Sequence, residues 1–191
     1  EPQSIVRVRN NEFLKSEIIH PGNQLEIPKV INEFVMEDPK DFAKYLKSLE
    51  PNLGNILFSN KVIIVEGPHD VLTYKTIFQD IINFGLKNIS IVAAWGKDSL
   101  ITIIDICKLF EIDFFVIQDW DLDNEIDPNT LPVGKTDIEK KKLVSDKQQW
   151  TKNKNILQKI KDEHLRHCNK KNLEVVLGIE RNQKGTVSIY E

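Results

Sequence analysis

Cysteine is scarce in this chain: Cys107 and Cys168 are the only two, too few for a disulfide framework or for a zinc site built from paired cysteines. Nothing else suggests export, so both read as reduced thiols and the expected compartment is the cytoplasm. Long apolar runs are also missing. Stretches such as Ile91–Trp95 fall far short of the about 20 residues needed to cross a bilayer, and no charged start leads into an apolar signal segment, so no membrane is expected among its partners. Tyrosine is sparse: Tyr45 and Tyr74 sit on apparent helix faces and Tyr190 near the terminus, so none reads as a covalent nucleophile. There is no Gly-x-x-x-x-Gly-Lys-Ser/Thr, which excludes a P-loop ATPase within these residues. Internal repeats and low-complexity tracts are absent. The chain opens at Glu1-Pro2-Gln3 without a Met, which reads as a piece of something longer.

What is present fits one ordinary domain, or one domain with an attached arm: 191 residues, 40% of them hydrophobic and 29% charged. The net charge of −3 argues against a uniformly basic nucleic-acid binder, but its distribution is uneven. From Lys135 to Lys171 there are 12 Lys and Arg against 5 Asp and Glu, net +7, which leaves −10 for the remainder. A basic stretch beside an acidic pocket suits a polyanion held by one part and acted on at the other. A solvated helix rich in Lys is the plainer reading of the same residues.

The order of elements can be read from periodicity. Ile5-Val-Arg-Val-Arg9, Asn10-Asn11 and Phe13 to Ile19 predict a hairpin, and Asp38-Pro39 can start a helix that Pro51 stops, so residues 1–58 read as a connector. The centre alternates: strand Val62–Val65, helix Pro68–Phe84 ended by Gly85, strand Ile89–Ala94, helix Asp98–Phe110, strand Asp113–Gln118. Such a βαβαβ unit has right-handed crossovers and a parallel sheet, and strands covered on both faces are nearly continuous in apolar residues. Residues 59–191 then form an α/β domain. Within it, 124–171 reads as a basic helical insertion or lid, opened by a capping box at Thr136–Glu139.

Two of the apolar strands end in acid. Val65-Glu66-Gly67-Pro68-His69-Asp70 puts a carboxylate at one strand end, a glycine at the turn and a second acid in the first helical turn; Asp119-Trp120-Asp121 closes another strand. The carboxyl ends of strands in an open parallel sheet face the ligand crevice, so these acids are expected to converge. Converging carboxylates repel, and a divalent cation is the usual remedy. An EF-hand loop counted from Asp119 fails, with Asn124 where Gly and Thr130 where Glu should stand. A haloacid-type phosphatase also fits poorly, because its Asp-x-Asp normally sits on the first strand. Trp95-Gly96-Lys97-Asp98-Ser99 joins strand to helix where free N–H groups and Lys97 could meet a phosphate, or is an ordinary turn. His164, His167 and Cys168 have ligand-like spacing but read as a helix surface, for want of a second cluster.

Glu66-Gly67 on a first strand, Gly96-Lys97 after the second and Asp119-x-Asp121 after the third resemble the Toprim domain shared by topoisomerases, primases and several nucleases. With Asp70, Leu173-Glu174 and Gln183-Lys184-Gly185, the pattern is similar to the nuclease branch of the overcoming-lysogenization-defect family. The resemblance implies a Rossmann-like Toprim sheet and Mg²⁺ or Mn²⁺, two ions in all, held by Glu66, Asp70, Asp119, Asp121 and Glu174. It gives Glu66, Asp119, Asp121 and Lys184 the catalytic roles, with Lys184 near the scissile phosphate. It implies DNA as substrate, a missing N-terminal ATPase as partner, a role in phage defence and a C-terminal nuclease portion. Association into homo-oligomers stays open. Lys97, Lys140, Lys141 and Lys142 are the expected DNA contacts. Metal-dependent DNA cleavage or nicking is thus the leading reading; a noncatalytic Toprim module that binds DNA or protein is the other, since fold does not imply activity. A primase or topoisomerase role lacks its zinc cysteines and its attacking tyrosine.

Overall fold

The computed structural model describes residues 7–10, 16–19, 50–134 and 136–178. Strands β1 (Arg7–Asn10) and β2 (Ser16–Ile19) pair antiparallel, Arg7 opposite Ile19, which gives the hairpin expected there. The helix expected from Asp38 lies outside the described residues. Pro51, expected to stop that helix, lies within α1 (Glu50–Phe58).

The central sheet is made of β3 (Lys61–Val65), β4 (Ile89–Ala93), β5 (Asp113–Asp119) and β6 (Arg166–Asn169), in spatial order β4-β3-β5-β6 and parallel throughout. Alternation along β3 divides two cores. Val62 and Ile64 join the larger one, and Ile63 and Val65 face the smaller. The larger core is closed by α1, by α4 (Lys97–Leu109) and by α5 (Asp137–Lys159). Leu100, Ile103, Ile104 and Cys107, all fully buried, give α4 a continuous apolar stripe. The smaller core is closed by Tyr74 from α2 (Pro68–Phe78) and Leu173 from α6 (Leu173–Val176). The result is an α/β sandwich with helices on both faces.

This arrangement fixes where a ligand crevice opens. From β3 the chain leaves by α2 over one face and moves outward to β4; from β5 it leaves by α5 over the other face and moves the opposite way to β6. Connections part between β3 and β5, and the crevice lies at their carboxyl ends.

Three readings need correction. The helix after Pro68 ends at Phe78, and Gly85 lies inside a separate turn, α3 (Phe84–Lys87), whose start is capped by Asn83 Oδ1 accepting from the Leu86 N–H at 3.0 Å. Ile77 and Ile81 are exposed. Second, α5 is not only a lid. Asn153, Ile156 and Ile160 are buried, and the two isoleucines belong to the larger core. Their stripe occupies only the C-terminal third of a helix whose Ile138 and Val144 are exposed, which is why its average periodicity is weak. The expected capping box is there: the Glu139 N–H donates to Thr136 Oγ1, and the Thr136 N–H to Glu139 Oε2.

Third, His167 and Cys168 are not on a helix surface. They lie in β6, with His167 opposite Ile117 and Cys168 opposite Gln118, and His164 sits in the 3-10 turn just before it. Four residues, Arg166-His-Cys-Asn169, carry no apolar alternation. Only pairing to β5 makes them a strand.

Candidate metal and nucleic-acid site

Glu66, the residue after β3, and Asp119, the last of β5, meet at that crevice. Glu66 Oε1 accepts a hydrogen bond from the Asp119 N–H at 2.7 Å, so a main-chain group of one strand end holds the side chain of the other. Burial raises the Glu66 carboxyl from its ordinary range to about 7, against the lowering effect of Lys97 and of that hydrogen bond; Asp121 and Asp119 push it further up. Asp119 is raised to about 6, again chiefly by burial and then by the charges of Asp70 and Asp121. Asn169, at the end of β6, opposes this by donating from Nδ2 to Asp119 Oδ1 at 2.8 Å.

Asp70 stands in the first turn of α2, where its Oδ2 accepts from the Gly67 N–H at 2.8 Å. Its carboxyl is raised by burial and by Glu174 and Asp121, so Glu174, in the first turn of α6, reaches the same electrostatic neighbourhood. Gly67 itself is extended, with φ −137°, and its conformation needs no glycine. Gly96 does need one: its φ is +118°, where a side chain is strained. Its N–H donates to the Glu66 carbonyl at 3.0 Å, which ties the end of β4 to that of β3.

Lys97 follows immediately. Its ammonium, with only 3% of the side chain exposed, is 2.9 Å from Asp121 Oδ2 and 3.8 Å from Glu66 Oε1. The 2.9 Å contact is a charge pairing without hydrogen-bond alignment. Expected at the surface to meet phosphate, Lys97 instead turns inward as the counter-charge of the acids. Asp121 holds a left-handed backbone, φ 58°, a conformation that Asp tolerates better than most residues. Its N–H donates to the Lys171 carbonyl beyond β6.

The crevice therefore gathers Glu66, Asp70, Asp119, Asp121 and, through its effect on Asp70, Glu174. Among the described residues no three His, Cys, Asp or Glu side chains reach a closed ligating arrangement. The donor set nonetheless fits a hard divalent cation: it offers carboxylate oxygens only, and burial raises the carboxyls of Glu66, Asp70 and Asp119 above their ordinary range. Lys184 lies outside the described residues. Lys140, Lys141 and Lys142 are exposed on α5, away from the core; Lys142 pairs with Asp123 at 2.8 Å and Lys140 with Asp137 at 3.6 Å. Asp123, clasped by Lys142 and Lys171, is held down to about 2.

Sequence reasoning missed Asn169 and Tyr74. The Asn169 amide and the Tyr74 hydroxyl hydrogen-bond each other at 3.1 to 3.3 Å, and the same amide reaches Asp119, so the smaller core braces the site. No sequence signal marks Asn169. Its role depends on the register Asp119↔Asn169.

A parallel sheet flanked by helices, with an acid after its first strand and an Asp-x-Asp closing its third at the switch point, defines a Toprim domain. Residues 57–121 match the family described as overcoming lysogenization defect protein-like, TOPRIM domain, and this segment is a Toprim domain of that family. Domains of this kind are generally divalent-metal-binding modules of nuclease or topoisomerase type. No curated protein matches the chain. No described helix is long and apolar enough to cross a membrane.

Proposed function

We propose that the domain is a metal-dependent DNA endonuclease or nicking module, the C-terminal nuclease portion of an ATP-dependent protein of the overcoming-lysogenization-defect family that acts in phage defence. The convergence of Glu66 and Asp119 at the switch point, with Asp70, Asp121 and Glu174 around them, carries this reading. These five carboxylates would hold Mg²⁺ or Mn²⁺, enough donors for two ions. When bound, such cations supply charge stabilisation for a phosphodiester and an acidified water.

The chain's own residues do the rest. The Asp119 N–H and the Asn169 amide fix the orientations of Glu66 and Asp119, so that little reorganisation is needed when substrate arrives. Lys97 balances Glu66 and Asp121 before that, and Lys184 is assigned to the phosphate. The exposed lysines of α5 hold the DNA backbone.

The test is conversion of supercoiled plasmid in Mn²⁺, in Mg²⁺ and in EDTA. Nicked or linear product in metal and none in EDTA supports the proposal. A second reading, a noncatalytic module that binds DNA or protein, draws on one observation: Lys97 already neutralises the acids. It wins if the protein binds DNA and leaves plasmid intact in every metal.

A further inference from the structure

The chain has three tryptophans; Trp95 and Trp120 neighbour the acids in sequence, and Trp150 packs on Trp120. Trp95 follows β4, the strand next to β3, and is 68% exposed. It is held there on both sides, by the Ala94 N–H donating to the Val65 carbonyl at 2.8 Å and the Gly96 N–H donating to the Glu66 carbonyl. Its backbone is left-handed, φ 61°, a conformation that costs a bulky residue free energy. A large ring exposed on a strained backbone beside Glu66 serves neither packing nor stability. Trp120 lies between Asp119 and Asp121 in the chain and meets Trp150 of α5 edge to face at 5.6 Å.

Trp120 and Trp150 open onto a cleft of about 670 Å³ between α5 and the edge of β6. Gln118, 2% exposed, lines it and has an Oε1 without a hydrogen-bond partner; Arg166, also in the lining, has an Nη1 without one. Both atoms are closed off in the wall of this aromatic cleft. Lys154 stands 4.6 Å over the Trp150 ring, and Lys170 is at the rim.

We propose that the substrate strand enters this site unpaired: single-stranded DNA crosses the acids with one base stacked on Trp95 and another base further along the strand in the Trp120–Trp150 cleft. Lys154 and Lys170 meet its phosphates. A duplex, whose base faces are already stacked, offers nothing to these rings, whereas a single strand offers π-faces and phosphates together. The inference rests on the nuclease reading, since it names that site's substrate.

The experiment is a titration of tryptophan emission in EDTA, which needs neither metal nor cleavage. The probes are a thymidine oligonucleotide of about a dozen nucleotides and a duplex of equal length. The single strand should quench emission and bind about ten-fold or more tightly than the duplex. Trp95→Asn, which suits a left-handed backbone, should weaken single-strand binding about five-fold or more without lowering the melting temperature, the range found when a stacking aromatic is removed. Equal or tighter duplex binding, or unchanged single-strand affinity in the variant, overturns the inference even if plasmid is cleaved. Tight single-strand binding with no cleavage in any metal upholds it and removes the nuclease reading alone.

Discussion

Glu66 and Asp119 are joined across the sheet by a 2.7 Å hydrogen bond from a main-chain N–H to a carboxylate, and both carboxyls are raised by burial, to about 7 and about 6. The sign of the resulting pH dependence follows. A carboxyl whose pKa is higher in the folded than in the unfolded chain binds more protons when folded, so its contribution to stability is full below its unfolded pKa and is lost as pH rises through the folded one. In EDTA the melting temperature should fall between about pH 4.5 and pH 7, the window between the ordinary and the raised value for Glu66. Glu66→Gln keeps an acceptor for the Asp119 N–H while removing the charge. It should flatten this fall and abolish plasmid cleavage; an unchanged pH profile in thermal melts would contradict the assignment.

Lys97 is the built-in counter-charge. Lys97→Met keeps its volume but leaves Glu66 and Asp121 unbalanced, and should destabilise the metal-free protein by about 1–3 kcal/mol, below the full cost of breaking a buried pair because Asp121 is one-third exposed. Urea denaturation in EDTA measures this. Mn²⁺ should restore much of the loss. Wild-type stability in the variant would mean that the pairing contributes nothing.

Asn169 donates to Asp119 and joins Tyr74. Asn169→Ala removes a group that lowers the Asp119 pKa, so cleavage should require a higher pH than in the wild type. Stability should drop by about 1–3 kcal/mol, the cost of leaving buried partners unpaired. A pH–rate profile that does not move, beside an ordinary stability loss, would make Asn169 structural only.

How much of this was legible in the sequence depends on what each feature rests on. The central strands were, because covered strands are apolar throughout, and the acids stood out because Glu66 and Asp119 interrupt such runs. The fourth strand was not: Arg166-His-Cys-Asn169 has no pattern of its own and exists through its register with β5. With it went Asn169. The burial of Lys97 was hidden as well, since Gly96-Lys97 reads as a phosphate loop until the fold turns the ammonium onto Glu66 and Asp121. Similarly, the last third of α5 could not be told from its solvated start by average composition.

The exposed lysines of α5 give a separate expectation. Reversing Lys140, Lys141 and Lys142 to Glu should weaken DNA binding and reduce the salt slope by up to about 3, one counterion for each phosphate no longer neutralised. The pairing of Lys142 with Asp123 and of Lys140 with Asp137 makes a smaller change, nearer about 1, the outcome if those pairs persist when DNA is bound. An unaltered slope in a filter-binding salt series would leave α5 a solvated face.

The claim at the centre is that the acids at the ends of β3 and β5 hold divalent metal. Calorimetric titration of Mn²⁺ into the wild type and into an Asp119→Ala, Asp121→Ala double variant tests it most directly. Weak, saturable binding of about two ions in the wild type, lost in the double variant, is the predicted result. Equal Mn²⁺ binding by the two proteins would place the metal elsewhere and contradict the account.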